Sequence, residues 1–250
     1  MVPMLRYHTF DMERGLAHMD LYGVDYYVSF TPEAADKARG IEGYTEIAVT
    51  EPFHIFRLPT TDLVVPASHE PSVYEVPERG ILGSLFGSET VSADGETLLS
   101  FYDMSLEWYE DIDNMDRWVV ADGPEEWPRI TSVDERPDVE LNVPADAVSD
   151  IEIEDHRISF TTEAVGVPHL VKVSYFPNWT ATGADGPWRA APSLMVVVPT
   201  EEEVVLEFRD TWAEIAGKTL TLGGVGSLLI VGGMLIWRRR AGDEAGPASE

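Results

Sequence analysis

The 250-residue chain contains no cysteine, which excludes disulfides and thiolate metal sites and leaves any exterior domain to rest on packing alone. Lysine is nearly missing too, since Lys37, Lys172 and Lys218 stand against 14 arginines. Seventeen basic and 45 acidic residues give a formal net charge of -28, a field with no phosphate-neutralising patch, so nucleic acid is excluded as a partner. Such acidity on a lysine-poor chain points to an extreme halophile, where salt screens self-repulsion. Also missing are a Gly-x-Ser-x-Gly elbow, a phosphate-cradling glycine loop, a dinucleotide fingerprint and a His-x-x-x-His pair, so no catalytic residue, metal site or cofactor is assigned. With 44% hydrophobic and 10% aromatic residues, the chain is nonetheless too apolar for a disordered acidic tail and is expected to bury a core.

One long uncharged apolar run is present, Leu220 to Trp237, followed at once by Arg238, Arg239 and Arg240. Eighteen helical residues cover roughly 27 Å, close to the hydrocarbon thickness of a bilayer. A transmembrane helix over 219 to 237 is therefore expected, with the lipid bilayer as partner. The arginine triplet after the run, against Lys218 alone before it, places the tail 238 to 250 in the cytoplasm and the bulk of the chain outside. The first twenty residues hold no apolar export signal. Either the chain is the C-terminal portion of a longer multi-pass protein or it is a tail-anchored protein with the opposite topology.

The remaining pattern predicts an α+β, mainly β protein. Residues 1 to 60 read as a small mixed α/β unit. It has a helix over Met12 to Tyr22, a strand within Tyr22 to Phe30, a helix from Thr31-Pro32 to Gly40, and strands Tyr44 to Val49 and Phe53 to Leu58. Proline, serine and glycine through 61 to 97 read as a surface linker. Residues 98 to 118 read as a helix or two short strands. The rest of 98 to 215 reads as a sandwich-like domain with strands at Val139 to Val143, Ile151 to Ile153, Arg157 to Thr161, His169 to Phe176, Ser193 to Val198 and Val204 to Arg209.

Within that domain, His169 to Thr200 reads HLVKVSYFPNWTATGADGPWRAAPSLMVVVPT, and Tyr22 to Phe30 reads YGVDYYVSF. These segments resemble the C-terminal extracytoplasmic part of multi-pass membrane proteins of the YfhO-like kind and of those with a 6-pyruvoyl-tetrahydropterin-synthase-related domain. Only the 32-residue block carries specificity. With the acidity, the resemblance implies a haloarchaeal source. Such proteins are similar to GT-C glycosyltransferases, whose catalytic acid lies in an early loop between transmembrane helices that this chain does not contain. The resemblance thus implies a non-catalytic, extracytoplasmic C-terminal module acting in cell-surface polysaccharide or glycoprotein assembly, beside transmembrane helices of a longer or neighbouring protein. The other reading is a free-standing anchored surface protein with a structural or ligand-binding role.

Candidate contacts with surface glycans are few. Asn178-Trp179-Thr180 is a glycosylation sequon, or else part of a tight turn. Trp188 and Arg189 would stack on a sugar or pack together as a cation-π pair. Trp179 and Trp188, bracketing the Gly183 to Pro187 turn, are expected to cover one end of the sandwich core. Glu107, Glu110, Asp111, Asp113 and Asp116 lack calcium-loop spacing and read as a solvated acidic face, and the six histidines as scattered surface residues. Screening generates a direct expectation: the folded region should gain melting temperature as potassium chloride rises from near zero to molar. An unchanged or lower value would remove the halophile reading.

Overall fold

A computed structural model describes residues 11–59, 62–75, 90–91, 97–98, 100–144 and 146–244. It divides into two compact units, Met1–Glu207 and Phe208–Glu250. The fold is α+β and mainly β.

The first unit opens with α1 (Met12–Leu21), β1 (Tyr26–Ser29), α2 (Pro32–Gly40), β2 (Thr45–Thr50) and β3 (Phe53–Arg57). Asp11 caps α1 by accepting from the Arg14 N–H, and Thr31 caps α2 by accepting from that of Ala34, with Pro32 in the first turn. The strands form an antiparallel sheet in the order β1-β3-β2. Met12, Ala35 and Ala38 of the helices bury against Tyr44, Phe56 and Leu58, with Leu16 and Met19 packed alongside.

Two larger sheets follow, built from β4 (Val64–Pro66), β5 (Ser72–Tyr74), β8 (Val119–Val120), β9 (Arg129–Ile130), β10 (Val148–Glu154), β11 (Arg157–Thr162), β12 (His169–Val171), β13 (Trp179–Thr182), β14 (Ala184–Ala190), β15 (Leu194–Pro199) and β16 (Glu203–Phe208). A further pair, β6 (Thr90–Val91) with β7 (Thr97–Leu98), stands apart. Four strands run β10-β11-β16-β13 and seven run β4-β12-β15-β14-β8-β5-β9. Strand β15 shows how they stack. Met195 and Val197 join Ile158, Phe160, Val204 and Leu206 of the smaller sheet in one core. Leu194 and Val196 face the other way, into a second core with Phe101, Met104 and Trp108 of α3 (Phe101–Glu110). Period-two alternation in the strand thus meets a helical face spaced three and four residues apart.

Several expectations change. The supposed linker 61 to 97 contributes β4 and β5 to the seven-stranded sheet, where β4 pairs with β12 and β5 lies parallel to β8 and β9. Proline fits there because β4 is an edge strand and Pro66 ends it; residues 76–89 lie outside the described residues. Val139 to Val143 forms no strand, only a bridge from Glu140 to His69. The strand from His169 stops at Val171, where the Val173 N–H turns back to the Val171 carbonyl at 2.7 Å. The Gly183 to Pro187 stretch, read as a turn, instead runs from the junction after β13 into β14. Gly183, at φ +75° between them, is where the chain leaves one sheet for the other, and a Cβ there would stand 2.1 Å from the Glu203 carbonyl oxygen. Of the histidines read as scattered surface residues, His169 is instead fully buried; His8 lies outside the described residues.

In the second unit, α4 (Trp212–Glu244) runs unbroken through the arginine triplet. It starts at Trp212, seven residues before the expected 219. The Thr211 hydroxyl accepts from the Glu214 N–H, and the Glu214 carboxylate accepts from the Thr211 N–H. The stretch Trp212–Leu235 is long and apolar enough to cross a membrane and none of its apolar window is buried.

His169 makes folding sensitive to acid. Val167 O lies 2.8 Å from Nδ1 and so takes its proton, leaving Nε2 to accept from the Thr162 hydroxyl at 2.9 Å, while that oxygen accepts from the Ala164 N–H. Burial pushes the ring below its ordinary value, opposed by the Val167 carbonyl. The unfolded chain therefore takes up a proton below about pH 6.5 that the core refuses, so this stability is complete above that pH and is lost as pH falls. Replacing His169 with Gln should flatten the dependence of unfolding free energy on pH between 6.5 and 5 by up to about 1.4 kcal/mol per pH unit. An unchanged slope in denaturant titrations would contradict it.

Candidate functional site

A cavity of ≈ 390 Å³ lies between the C-terminal half of α1, strands β4 and β12, and the 3-10 turn Ile112–Asn114 with the residues after it. Leu21, Val65, Met115, Trp118 and Leu170 supply apolar wall, and Asp20, Ser68, Asp113, Asp116 and Lys172 supply the polar groups. In the sequence Asp113 and Asp116, weighed as cation ligands, read as a solvated acidic face, and nothing there singles out the others, because the lining comes from four separate stretches.

Lys172 is the unusual member. Its side chain is 2% exposed, a rare state for lysine. The backbone turn after β12 aims it at the end of α1, where Nζ donates to the Asp20 carbonyl at 2.7 Å and lies 3.5 Å from the Asp20 carboxylate. A cation suits that place because the last carbonyls of a helix carry partial negative charge. Burial nevertheless pushes the ammonium below the ordinary lysine value, with Asp20 pulling the other way.

On the opposite wall Ser68 and Asp116 meet His69. Nδ1 of the ring is 3.1 Å from Asp116 and 3.0 Å from the Ser68 hydroxyl, and Nε2 is 3.3 Å from Asp138, which also pairs with Arg117 at 3.0 Å. Asp138 is delivered by chain 138–141, whose backbone bonds to Ser68 and Glu70. A serine, a histidine and two aspartates are thus adjacent, yet not as a nucleophilic triad. The two ring nitrogens face different carboxylates, and the Ser68 hydroxyl itself lies 3.4 Å from Asp116, so the serine-to-histidine-to-aspartate order of a triad is not formed. The cluster is a polar network, anchored by the Arg117–Asp138 ion pair, that borders the cavity.

The acidic run around it has become structural in part. Asp111 pairs with buried Arg136, whose guanidinium also donates to the carbonyls of Val133 and Asn114. Glu107 is raised above the usual carboxylate range by burial and then by Asp134, Asp103 and Glu110. Among the described residues no group of three or more His, Asp or Glu side chains could hold a metal ion.

The glycan candidates fall elsewhere and apart. Asn178 is half-buried in a turn closed by the Trp179 N–H to Phe176 carbonyl bond, and the sequon hydroxyl of Thr180 donates to the Glu207 carbonyl at 3.2 Å. Trp188 and Arg189 do not pair with each other as their closest aromatic and cationic partners. Trp188 meets Trp127 edge to face at 5.3 Å, and the Arg189 guanidinium lies 5.0 Å from the centre of the Phe101 ring. Glycine makes room for the indole pair: a Cβ on Gly186 would come within 2.9 Å of Trp188, and one on Gly123 within 2.4 Å of Trp127. Trp179 packs on the core between the sheets and Trp188 on the helix-side core, so the two do not cover one end of a single core. Arg238, Arg239 and Arg240 lie on the continuous helix α4.

Burial disfavours the Lys172 ammonium, with Asp20 opposing. Lys172→Met keeps the aliphatic stem and should raise the melting temperature at pH 7 by roughly 2 to 4 °C, the shift that about 1 kcal/mol produces in a domain of this size. A fall of that size in a thermal melt would make the pair a structural clamp and not a cavity group. Comparison of the chain with protein-family models, curated proteins and solved structures found no match.

Proposed function

We propose that this protein is a single-span membrane-anchored module whose folded unit faces the cell exterior. The observation that carries the anchor is the helix α4 itself. Its apolar side chains are exposed along Leu220, Leu222, Leu228, Leu229 and Ile230, a surface that water would not tolerate and lipid would cover. The hydroxyls on it are already satisfied: Thr219, Thr221 and Ser227 each donate to the carbonyl four residues earlier, at 2.7 to 2.8 Å. A helix that meets its own polar groups is suited to a bilayer, where no water can. Trp212 at one end is 82% exposed, the place and residue type of an interfacial anchor. The arginine triplet beyond the span supports a cytoplasmic tail.

The module serves, on this reading, as a non-catalytic extracytoplasmic partner of a GT-C-like membrane glycosyltransferase in surface polysaccharide or glycoprotein assembly. The likeness of His169 to Thr200 and of Tyr22 to Phe30 to that class supports it. A free-standing surface protein with a ligand-binding role is the second reading, favoured by the cavity beside the buried Lys172.

Topology is the first test. Protease added to intact cells should remove the unit ending at Glu207 and spare an epitope tag at the C-terminus. Digestion of the tag with survival of the bulk would invert the orientation and end the extracytoplasmic reading. For the partnership, affinity purification of the tagged chain from detergent-solubilised membranes should bring down a multi-pass glycosyltransferase; recovery of the chain alone under mild detergent favours the free-standing protein.

A further inference from the structure

Among the described residues no further strand pairs with either edge of the β1-β3-β2 sheet, and the two edges are built differently. Strand β2 carries a bulge between Glu46 and Ala48. It also carries the Glu46 carboxylate, bound by Arg39 at 2.8 and 3.0 Å and by His54 at 2.7 Å and held down to about 2 by those contacts. A bulge and a charge turned toward the covered face are two ways in which proteins stop an edge from recruiting another strand. Strand β1, Tyr-Tyr-Val-Ser, has neither, and no lysine or proline within it.

Register identifies the open peptide groups. The Leu58 N–H donates to the Asp25 carbonyl at 2.8 Å, so in an antiparallel ladder the next bonded pairs are Tyr27 with Phe56 and Ser29 with His54. Tyr26 and Val28 occupy the alternate positions, and their N–H and C=O groups point away from β3 along the edge. A groove of ≈ 380 Å³ lies beside β1, lined among the described residues by β1, the residues joining it to α2, and α2 itself, including Tyr27, Ser29, Phe30, Ala34 and Lys37. Ser29 is 2% exposed and its hydroxyl has no hydrogen-bond partner, although it lines the groove. Buried polar groups are rarely left so.

We propose that the free edge of β1 is a strand-addition site for an extended, uncharged segment of another polypeptide. Only an extended backbone offers donors and acceptors at the spacing of Tyr26 and Val28, and only it can run in the groove beside α2. Side chains of the added strand would continue the outer face of the sheet, where Tyr26, Val28 and Phe30 are 52%, 54% and 67% exposed and Phe53 is 48% exposed. Charge selects the occupant. The face formed by these residues with Ile55 and Arg57 holds no carboxylate, and the groove's Glu33 is neutralised by Lys37 at 3.2 Å. An uncharged segment adds no repulsion beside Arg57, whereas a second copy would bring its own net charge of -28 to the same edge. The proposal stands independently of the membrane reading.

The probe is a fluorescein-labelled, end-capped heptapeptide of alternating threonine and valine, titrated against the full chain in detergent micelles at molar potassium chloride. Anisotropy should rise saturably, and the same peptide N-methylated at alternate residues should not bind. Hydrogen exchange of the Tyr26 and Val28 amides should slow in the complex. Val28→Pro removes only an outward-pointing donor from an edge strand, so it should melt within a few degrees of the parent and bind at least about tenfold more weakly, the loss of roughly one net hydrogen bond. If that variant fails to fold, protection of the two amides in the parent chain decides alone. Three results would overturn the proposal: no saturable binding, binding without protection of Tyr26 and Val28, or protection without peptide in a chain that light scattering finds dimeric.

Discussion

Strand β15 is covered on both faces, and the rest of the folded unit depends on that double coverage. With no cysteine to cross-link it, the unit must gain its stability from area removed from water. Met195, Val196 and Val197 are completely buried, one after another. Consecutive buried residues in a strand require a layer above and a layer below, here the four-stranded sheet and the helix Phe101–Glu110. The junction at Gly183 follows from the same demand, since the chain must pass from one sheet to the other beside the Glu203 carbonyl without a side chain in the way.

Burying charge is the opposing constraint. Arg136 and Lys172 lie under the surface of a protein whose fields are otherwise negative, and each reaches backbone carbonyls as well as a carboxylate. Arg136 spans Asp111, Asn114 and Val133, so its guanidinium binds the chain after α3 to the chain before β10 and reads as architecture. Lys172 has an amine shifted by burial and a cavity beside it. That pairing of a perturbed group with a cleft is what makes it the candidate site. His169 and His69 show the same division, the first sealed between Thr162 and Val167, the second set between carboxylates at the cavity mouth.

Exposed apolar surface occurs in two places that ask for different covers. The 220–235 stretch of α4 is apolar around its circumference with its hydroxyls turned back on its own backbone, a surface suited to hydrocarbon. The outer face of the small sheet is apolar on one side only and borders unpaired peptide groups, which hydrocarbon cannot satisfy and another backbone can. The distinction rests on backbone hydrogen bonding rather than on hydrophobicity, which the two surfaces share.

The sequence by itself determined whatever is written in neighbouring residues. Thr31-Pro32 announced α2 through a cap and a preset φ, and Leu220 to Trp237 announced an apolar helix through an uninterrupted run. Strands 157 to 161, 193 to 198 and 204 to 209 were visible, within a residue or so, as apolar runs between turn residues. Tertiary structure decided what depends on partners distant in the chain. The segment 62–75 looked like a linker because its strands are three residues long and flanked by proline; they are strands because β12, β8 and β9 supply their hydrogen bonds. Trp179 and Trp188 looked alike in sequence and went to different cores because the sheet changes at Gly183 between them. Lys172 was only one of three lysines until the turn after β12 brought it 152 positions back along the chain to Asp20. No local pattern encodes such a contact, since its energy exists only after both cores have closed.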